Sequence, residues 1–242
     1  MTGDDSPSNR YHVGVAAVPY TVDREAGRTT IDCSMTPDME LTVRAPAEAS
    51  AAAVEAALDD RRAWVLDTLY GLAEQPDPRL GHDFTNGEKL LYRGKKHRLR
   101  VSESSVDEPA FTFDGTRFGL RIPRDEETPA TERRRAVVDW YVAHAEDVLP
   151  SCVATVADGD PVPPVAVTES GRRWIRVDET LTLHWRLVLA PREIVAYVVA
   201  HGLARRDHDP STEAFWEAVD RRVPDSRVRR SWLRHNGAQL RL

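Results

Sequence analysis

Residues 193–225, EIVAYVVAHGLARRDHDPSTEAFWEAVDRRVPD, carry the reading that decides the fold. Pro191 suits the first turn of a helix, and the unbroken apolar run Ile194–Ala200 predicts a buried helix reaching about Arg206. A helix sets residues i and i+4 on one face, so positions 201 and 205 look the same way. Asp209-Pro210 then predicts an N-cap and first position for a second helix through Arg222, and Pro224-Asp225 breaks the chain before a last one. Upstream, strands are expected near 163–168, 172–177 and 180–186. Before them DGDPVPP, residues 158–164, carries three prolines in seven positions and continues neither periodicity, so a boundary is placed there.

Working back toward the N-terminus, a polar tail (1–10) precedes strands expected at 11–20 and 28–45, with DREAG (23–27) as the turn between them. From Ala47 the pattern becomes helical: Val54, Leu58, Arg61, Val65, Leu69 and Leu72 recur at steps of three and four, and QPDPRLGHD ends the helix. KLLYRGKKHRLRV (89–101) reads as a hairpin turning at Arg93-Gly94, and AFTF and RFGLRI as another around Asp114-Gly115. Thr128-Pro129 opens a helix expected through Leu149, with Val137, Tyr141, His144 and Val148 on one face. No repeat is visible. The expected class is α+β: an N-terminal antiparallel β-rich module with flanking helices (11–157), then an αβ unit with a helical C-terminal end (158–242).

Composition narrows the function classes. Of 242 residues, 41% are hydrophobic and 30% charged, ordinary for a globular chain, and no apolar run approaches the ~20 residues that span a bilayer. MTGDDSPSNR lacks the basic and apolar segments of a secretory signal, and Cys33 and Cys152 are too few for a disulfide framework, so a cytoplasmic location is expected. The net charge of −6 argues against nucleic-acid binding through overall charge. Only Lys89, Lys95 and Lys96 are lysines; arginine supplies the other 30 of 33 basic residues.

The segment 193–225 resembles the zinc-site segment of the YgjP-like metallopeptidases, relatives of the SprT-type zincins. LTVRAP (41–46), Arg62-Ala63-Trp64, FTNGEKLLYRGKKHRLRV (84–101), Trp140-Tyr141, AFW (214–216) and Pro224-Asp225 extend the resemblance over nearly the whole chain. The resemblance implies a zincin-like C-terminal unit whose helix carries H-E-x-x-H, with a third histidine six positions after the second. Here His201 matches the first ligand, but Gly202 stands at the glutamate, Arg205 at the second histidine and Ser211 at the third. The family's tryptophan-glycine-serine-cysteine motif appears here in Arg173-Trp174-Ile175-Arg176-Val177, where only Arg173 and Trp174 match. In such a site two histidines close on one metal ion while the glutamate holds its water, and arginine is no ligand. The bound ion brings its water to a pKa near 7 and a placed base adds ~10²–10⁴ in rate, so losing both removes the mechanism.

The implied protein is therefore a pseudoenzyme with a vestigial site at Trp174, His201, Gly202, Arg205 and Ser211, no catalytic residue, no metal and no cofactor. Its work would be binding, either of a protein segment in the former substrate cleft or of a partner enzyme that an inactive relative regulates, away from any membrane. Glycine costs about 1 kcal/mol in a helix, so Gly202→Glu is expected to be mildly stabilising. Arg205 is expected to fill the place of the ion, pairing with a carboxylate or holding an anion, or else to reach water. One alternative is an active hydrolase of peptide or nucleotide-phosphate bonds with zinc on His201, His208, Asp207 and Asp209. Against it, seven helical residues separate the two histidines by about 10.5 Å along the axis. A second alternative is a nucleic-acid-associated protein using Arg227, Arg229, Arg230 and Arg234, in a C-terminal stretch where arginines outnumber acids seven to three. His184, beside Trp185 in an apolar strand, is expected to be a satisfied core histidine.

Overall fold

Two glycine turns organise the first half of the chain. In this computed structural model, which describes residues 9–13, 16–35, 41–69, 82–124, 127–171 and 173–242, Arg93-Gly94 joins β5 (Lys89–Tyr92) to β6 (Lys95–Ser104), and Asp114-Gly115 lies between β7 (Ala110–Phe113) and β8 (Phe118–Pro123). Both hairpins were expected. Asp114 fixes the second by accepting from the backbone N–H groups of Thr116 and Arg117, each at 2.9 Å. The sheet order is β5-β6-β8-β7, with antiparallel outer pairs and a parallel β6/β8 centre in which Leu99 faces Phe118.

The N-terminal strands repeat this arrangement. The expected pair resolves into four strands, β1 (Asn9–Val13), β2 (Ala16–Glu25), β3 (Asp32–Met35) and β4 (Leu41–Pro46), in the order β1-β2-β4-β3 with β2 and β4 parallel. Each sheet has a ten-residue second strand paired over six residues with a fourth strand that ends in proline, Pro46 or Pro123. LTVRAP and FGLRIP thus hold equivalent places, sharing an outward arginine two positions before the proline. The repeat escapes the sequence because pairing order, not residue identity, carries it.

The first helix is two: α1 (Ala51–Asp60) and α2 (Arg62–Leu69). Arg61, the polar member of the expected face, caps α1 and donates to the carbonyls of Ala57 at 3.2 Å and Ile31 at 3.0 Å. Val54, Leu58, Val65 and Leu69 are buried as expected, whereas Leu72 lies outside the described residues. Helix α3 (Ala130–Ala157) runs eight residues beyond Leu149, its expected end. Pro150 is exposed, while Val137, Tyr141, Ala145, Leu149, Val153 and Ala157 form a buried stripe across it. That burial outweighs the ~3 kcal/mol cost of an interior proline.

Helix α3 packs against β7 and β8 on one side of residue 158 and against β9 (Val165–Thr168) and the 3-10 turn 185–189 on the other. It also meets α4 (Arg192–Ala204), which lies on β10 (Ile175–Val177). Together with β11 (Leu181–His184) the short strands form a sheet ordered β10-β11-β9, and α5 (Glu213–Arg222) and α6 (Ser226–Asn236) close over α4. The architecture is α+β. No described helix is long and apolar enough to cross a membrane.

Candidate functional site

Helix α4 is buried from Tyr197 through Ala204 without a gap, as a helix lacking a polar face must be. The His201 ring is 0% exposed, with centroids 4.7 Å from Phe215, 5.9 Å from Trp216 and 6.1 Å from Tyr197. Burial first, then the positive charges of Arg205 and Arg230, hold its pKa well below 6.5, so the imidazole is neutral. Phe215 and Trp216 come from α5, whose N-cap is Thr212, its hydroxyl accepting from the Phe215 N–H at 3.3 Å. The cap expected at Asp209 is thereby corrected: Asp209 accepts instead from the backbone N–H and hydroxyl of Ser211, at 2.8 and 2.6 Å, in an Asx-type turn.

At Gly202 the helix touches β10. A Cβ built on this residue would stand 2.2 Å from Ile175 Cδ1 and 3.3 Å from Val177 Cγ2. The resemblance sets Ile175 at a glycine position of one motif and Gly202 at the glutamate position of the other, and at their contact the bulk stands on the β10 side. Against the expectation that Gly202→Glu is mildly stabilising stands this contact: Ile175 Cδ1 must shift to admit any Cβ, and that cost offsets the propensity gain.

Arg205 caps α4, and its guanidinium donates directly to Asp67 Oδ1 on α2. Asp67 has a side chain only 2% exposed, and Arg173 Nε stands 3.0 Å from its other oxygen, an ion contact outside hydrogen-bond alignment. The two arginines are 26% and 47% exposed, so the carboxylate is sunk and its cations reach outward. A second bridge parallels the first. Arg62, also on α2, donates to Ser211 Oγ at 2.8 Å and lies 3.6 Å from Asp209 Oδ1. The Ser211 hydroxyl, its N–H and Arg62 hold the Asp209 carboxyl below its usual pKa. Of the readings open for Arg205, pairing with a carboxylate is the one found.

The remaining positions are more dispersed. Trp174 is buried against His184, centroids 5.9 Å apart, and lies by Gly237. His184 accepts from the Arg186 N–H through Nδ1 at 3.2 Å and is held neutral by burial, its pKa lowered to about 4, as expected of a core histidine. Asp207 and His208 lie in the turn after α4, both N–H groups donating to the Ala204 carbonyl. Among the described residues no group of three or more His, Cys, Asp or Glu side chains is placed to hold a metal ion. On α6, Arg227 is exposed, while Arg229 donates to the Pro224 carbonyl and Arg230 lies 4.9 Å over the Trp216 ring. Arg62 and Arg173 are marked only as matches to the family, and for Asp67 the one local signal is an acid inside the apolar stretch AWVLDTL.

These residues do not fit a zinc ion: of the aligned ligand positions only His201 offers a donor nitrogen, and Arg205 and Ser211 are engaged with Asp67, Arg62 and Asp209. The scaffold around them is another matter. No curated protein and no solved structure matches the chain. The family model described as YgjP-like, metallopeptidase domain, matches residues 29–236, from the turn before β3 to the end of α6, and by that match the chain belongs to the YgjP-like metallopeptidase-domain family.

Proposed function

We propose that this chain is a non-catalytic member of its family, a cytoplasmic pseudoenzyme that binds a protein segment in the former substrate cleft. One observation carries the reading: two ion bridges, Arg205–Asp67–Arg173 and Arg62–Ser211–Asp209, stand on the positions where the family holds its second and third ligands. Each bridge ends in an arginine about half exposed, 46% for Arg62 and 47% for Arg173. Half-exposed arginines suit acidic side chains of a partner, which they take in bidentate fashion. His201, neutral among aromatic rings, supports the fold and takes no part in proton transfer.

The test is elemental analysis of protein purified without chelator, paired with a peptidase assay in added zinc. Well under one zinc per chain and no zinc-dependent hydrolysis are expected. About one zinc per chain, lost in both His201→Ala and His208→Ala, would overturn the proposal in favour of a rearranged His/Asp site.

A further inference from the structure

The two sheets of the first half hold equivalent positions, and one difference between them stands out. By their strand pairing, residues 96, 98, 100 and 102 of β6 correspond to 17, 19, 21 and 23 of β2, on the exposed face of each sheet. Those residues are Lys96, Arg98, Arg100 and Ser102 in one sheet and Ala17, Pro19, Thr21 and Asp23 in the other. Lys89 lies opposite Arg98, and Arg121 opposite Ser102. At the same places the first sheet sets Arg10 opposite Pro19 and Arg44 between Asp23 and Asp32. The first face is therefore nearly balanced in charge, while the second presents five exposed cations, Lys89, Lys96, Arg98, Arg100 and Arg121. One architecture accepts both sets, so the fold itself does not call for the basic residues.

That charge is unfavourable to the sheet on its own. Lys89 directly opposite Arg98 is a like-charge pair, which destabilises strand pairing. Unlike Arg117, which meets Asp114 at 3.1 Å, none of the five enters an ion pair among the described residues. Their cross-strand neighbours Leu91, Ser102, Ala110, Thr112 and Gly119 bring no acid. In a chain whose net charge is −6, such a face draws polyanions to one place. Each of the four cross-strand rows from Lys96 to Ser102 holds a cation, and successive rows lie ~6.6–6.8 Å apart. An extended peptide with acids at alternate residues repeats its carboxylates at that same distance along one side. The rings of this sheet point the other way, Tyr92, Phe111, Phe113 and Phe118 packing on Trp140 of α3, so the basic face offers bases nothing to stack on. Exposed acids border it, Asp107 before β7 and Asp114 after it. A planar anionic surface would meet those acids, whereas a segment along β6 stays two strands away from β7. We infer that this face docks an extended acidic segment of a partner protein, lying along β6 with carboxylates on alternate residues. None of these residues belongs to the site around His201, so the inference is independent of the function proposed above.

The test titrates the full chain, by fluorescence anisotropy at low salt, into two labelled decapeptides of equal charge: one alternates glutamate with serine, the other carries its glutamates in a single block. The alternating peptide is expected to bind with Kd below about 100 μM, at least about threefold tighter than the block peptide, and to weaken about tenfold on raising salt from about 50 to about 300 mM. Arg98→Thr with Arg100→Thr should weaken it at least about tenfold. The melting temperature of that variant should hold or rise, because threonine suits a strand and the repulsion from Lys89 is relieved. Should it melt lower, Lys89→Gln with Lys96→Gln carries the same comparison. Arg173→Gln, beside Asp67, should leave the affinity unchanged, which separates this face from the former cleft. A short oligothymidylate and phosphatidylcholine vesicles with about 30% phosphatidylserine are titrated alongside and should bind more weakly than the alternating peptide. No binding of that peptide by about 1 mM, equal affinity for the block peptide, affinity unchanged in the sheet variants, loss in Arg173→Gln, or tighter binding of the oligothymidylate or the vesicles would overturn the inference.

Discussion

Gly202→Ala should destabilise this protein although it replaces a glycine inside a helix. Propensity alone favours alanine by about 1 kcal/mol. The new Cβ, however, would stand 2.2 Å from Ile175 Cδ1, where carbon atoms at rest keep roughly 3.5–4.0 Å. Cδ1 can swing away about the Cβ–Cγ1 bond, but Ile175 is buried and its Cγ1 and Val177 Cγ2 stay at 3.1 Å and 3.3 Å, so overpacking of ~1–3 kcal/mol is expected, for a net loss of about 0–2 kcal/mol. Ile175→Val deletes the offending Cδ1 and by itself costs ~0.5–1.5 kcal/mol. It leaves the alanine Cβ with contacts of 3.1 Å and 3.3 Å, tight but tolerable. The double variant should therefore be no less stable than Ile175→Val alone, with a coupling of about 1–2 kcal/mol. Urea unfolding of the four proteins, read as midpoints with their slopes, measures this directly. Additivity within about 0.5 kcal/mol, or Gly202→Ala stabilising by its full propensity gain, would refute the packing argument.

The same contact governs any attempt to rebuild the family's site: Gly202→Glu, Arg205→His and Ser211→His together should unfold at lower urea than the parent and bind no zinc, and micromolar zinc binding should require Ile175→Gly in addition. Zinc bound by the triple variant, seen by calorimetry, would show that Ile175 is no obstacle. Asp67→Asn should cost about 3 kcal/mol, since it leaves Arg205 and Arg173 beside each other without their buried counter-charge, whereas Arg173→Gln at the half-exposed end should cost under about 1 kcal/mol; equal urea midpoints would contradict this ordering. Stability should also fall with acid. The folded pKa of His184, lowered from 6.5 to about 4, makes its contribution complete above pH 6.5 and lost as pH falls toward 4, up to about 3 kcal/mol. The neutral His201 acts in the same direction. His184→Asn keeps an acceptor for the Arg186 N–H and should flatten the loss between pH 7 and 4.5, and an unchanged slope would assign it to other groups.

What was legible in the sequence was local. The turns at Arg93-Gly94 and Asp114-Gly115 announce themselves by residue type, and the apolar run before His201 allows nothing but a buried helix. What failed depended on distant partners. Arg61 ends α1 because a carbonyl on residue 31 lies within its reach, and α3 passes Pro150 because Val153 and Ala157 have a core to enter. Parallel pairing of β2 with β4 leaves no mark beyond strand propensity. At the site, the resemblance marked which positions differ from the family, while what replaced the ligands lay far off, Asp67 being 138 residues from Arg205 and Arg62 being 149 from Ser211. An acid and an arginine on α2 acquire meaning only once α2 is laid beside the end of α4.

The repeated sheets bear on the order in which the molecule is made. Each closes within a short contiguous stretch, residues 9–46 for one and 89–123 for the other. Loop closure over such spans is inexpensive in entropy, so strand pairing in both sheets requires nothing from α4 onward. The bridges from Arg62 and Asp67 have to wait for Arg205 and Ser211, and those residues belong to the last 40 of the chain. Asp67 must spend synthesis with water as its partner and lose it on docking, which makes the charged site the final joint to close. A chain cut before α4 would lack Arg205 and Ser211 and so have no site, whatever its sheets do, and closure of that joint distinguishes the fold from its precursors.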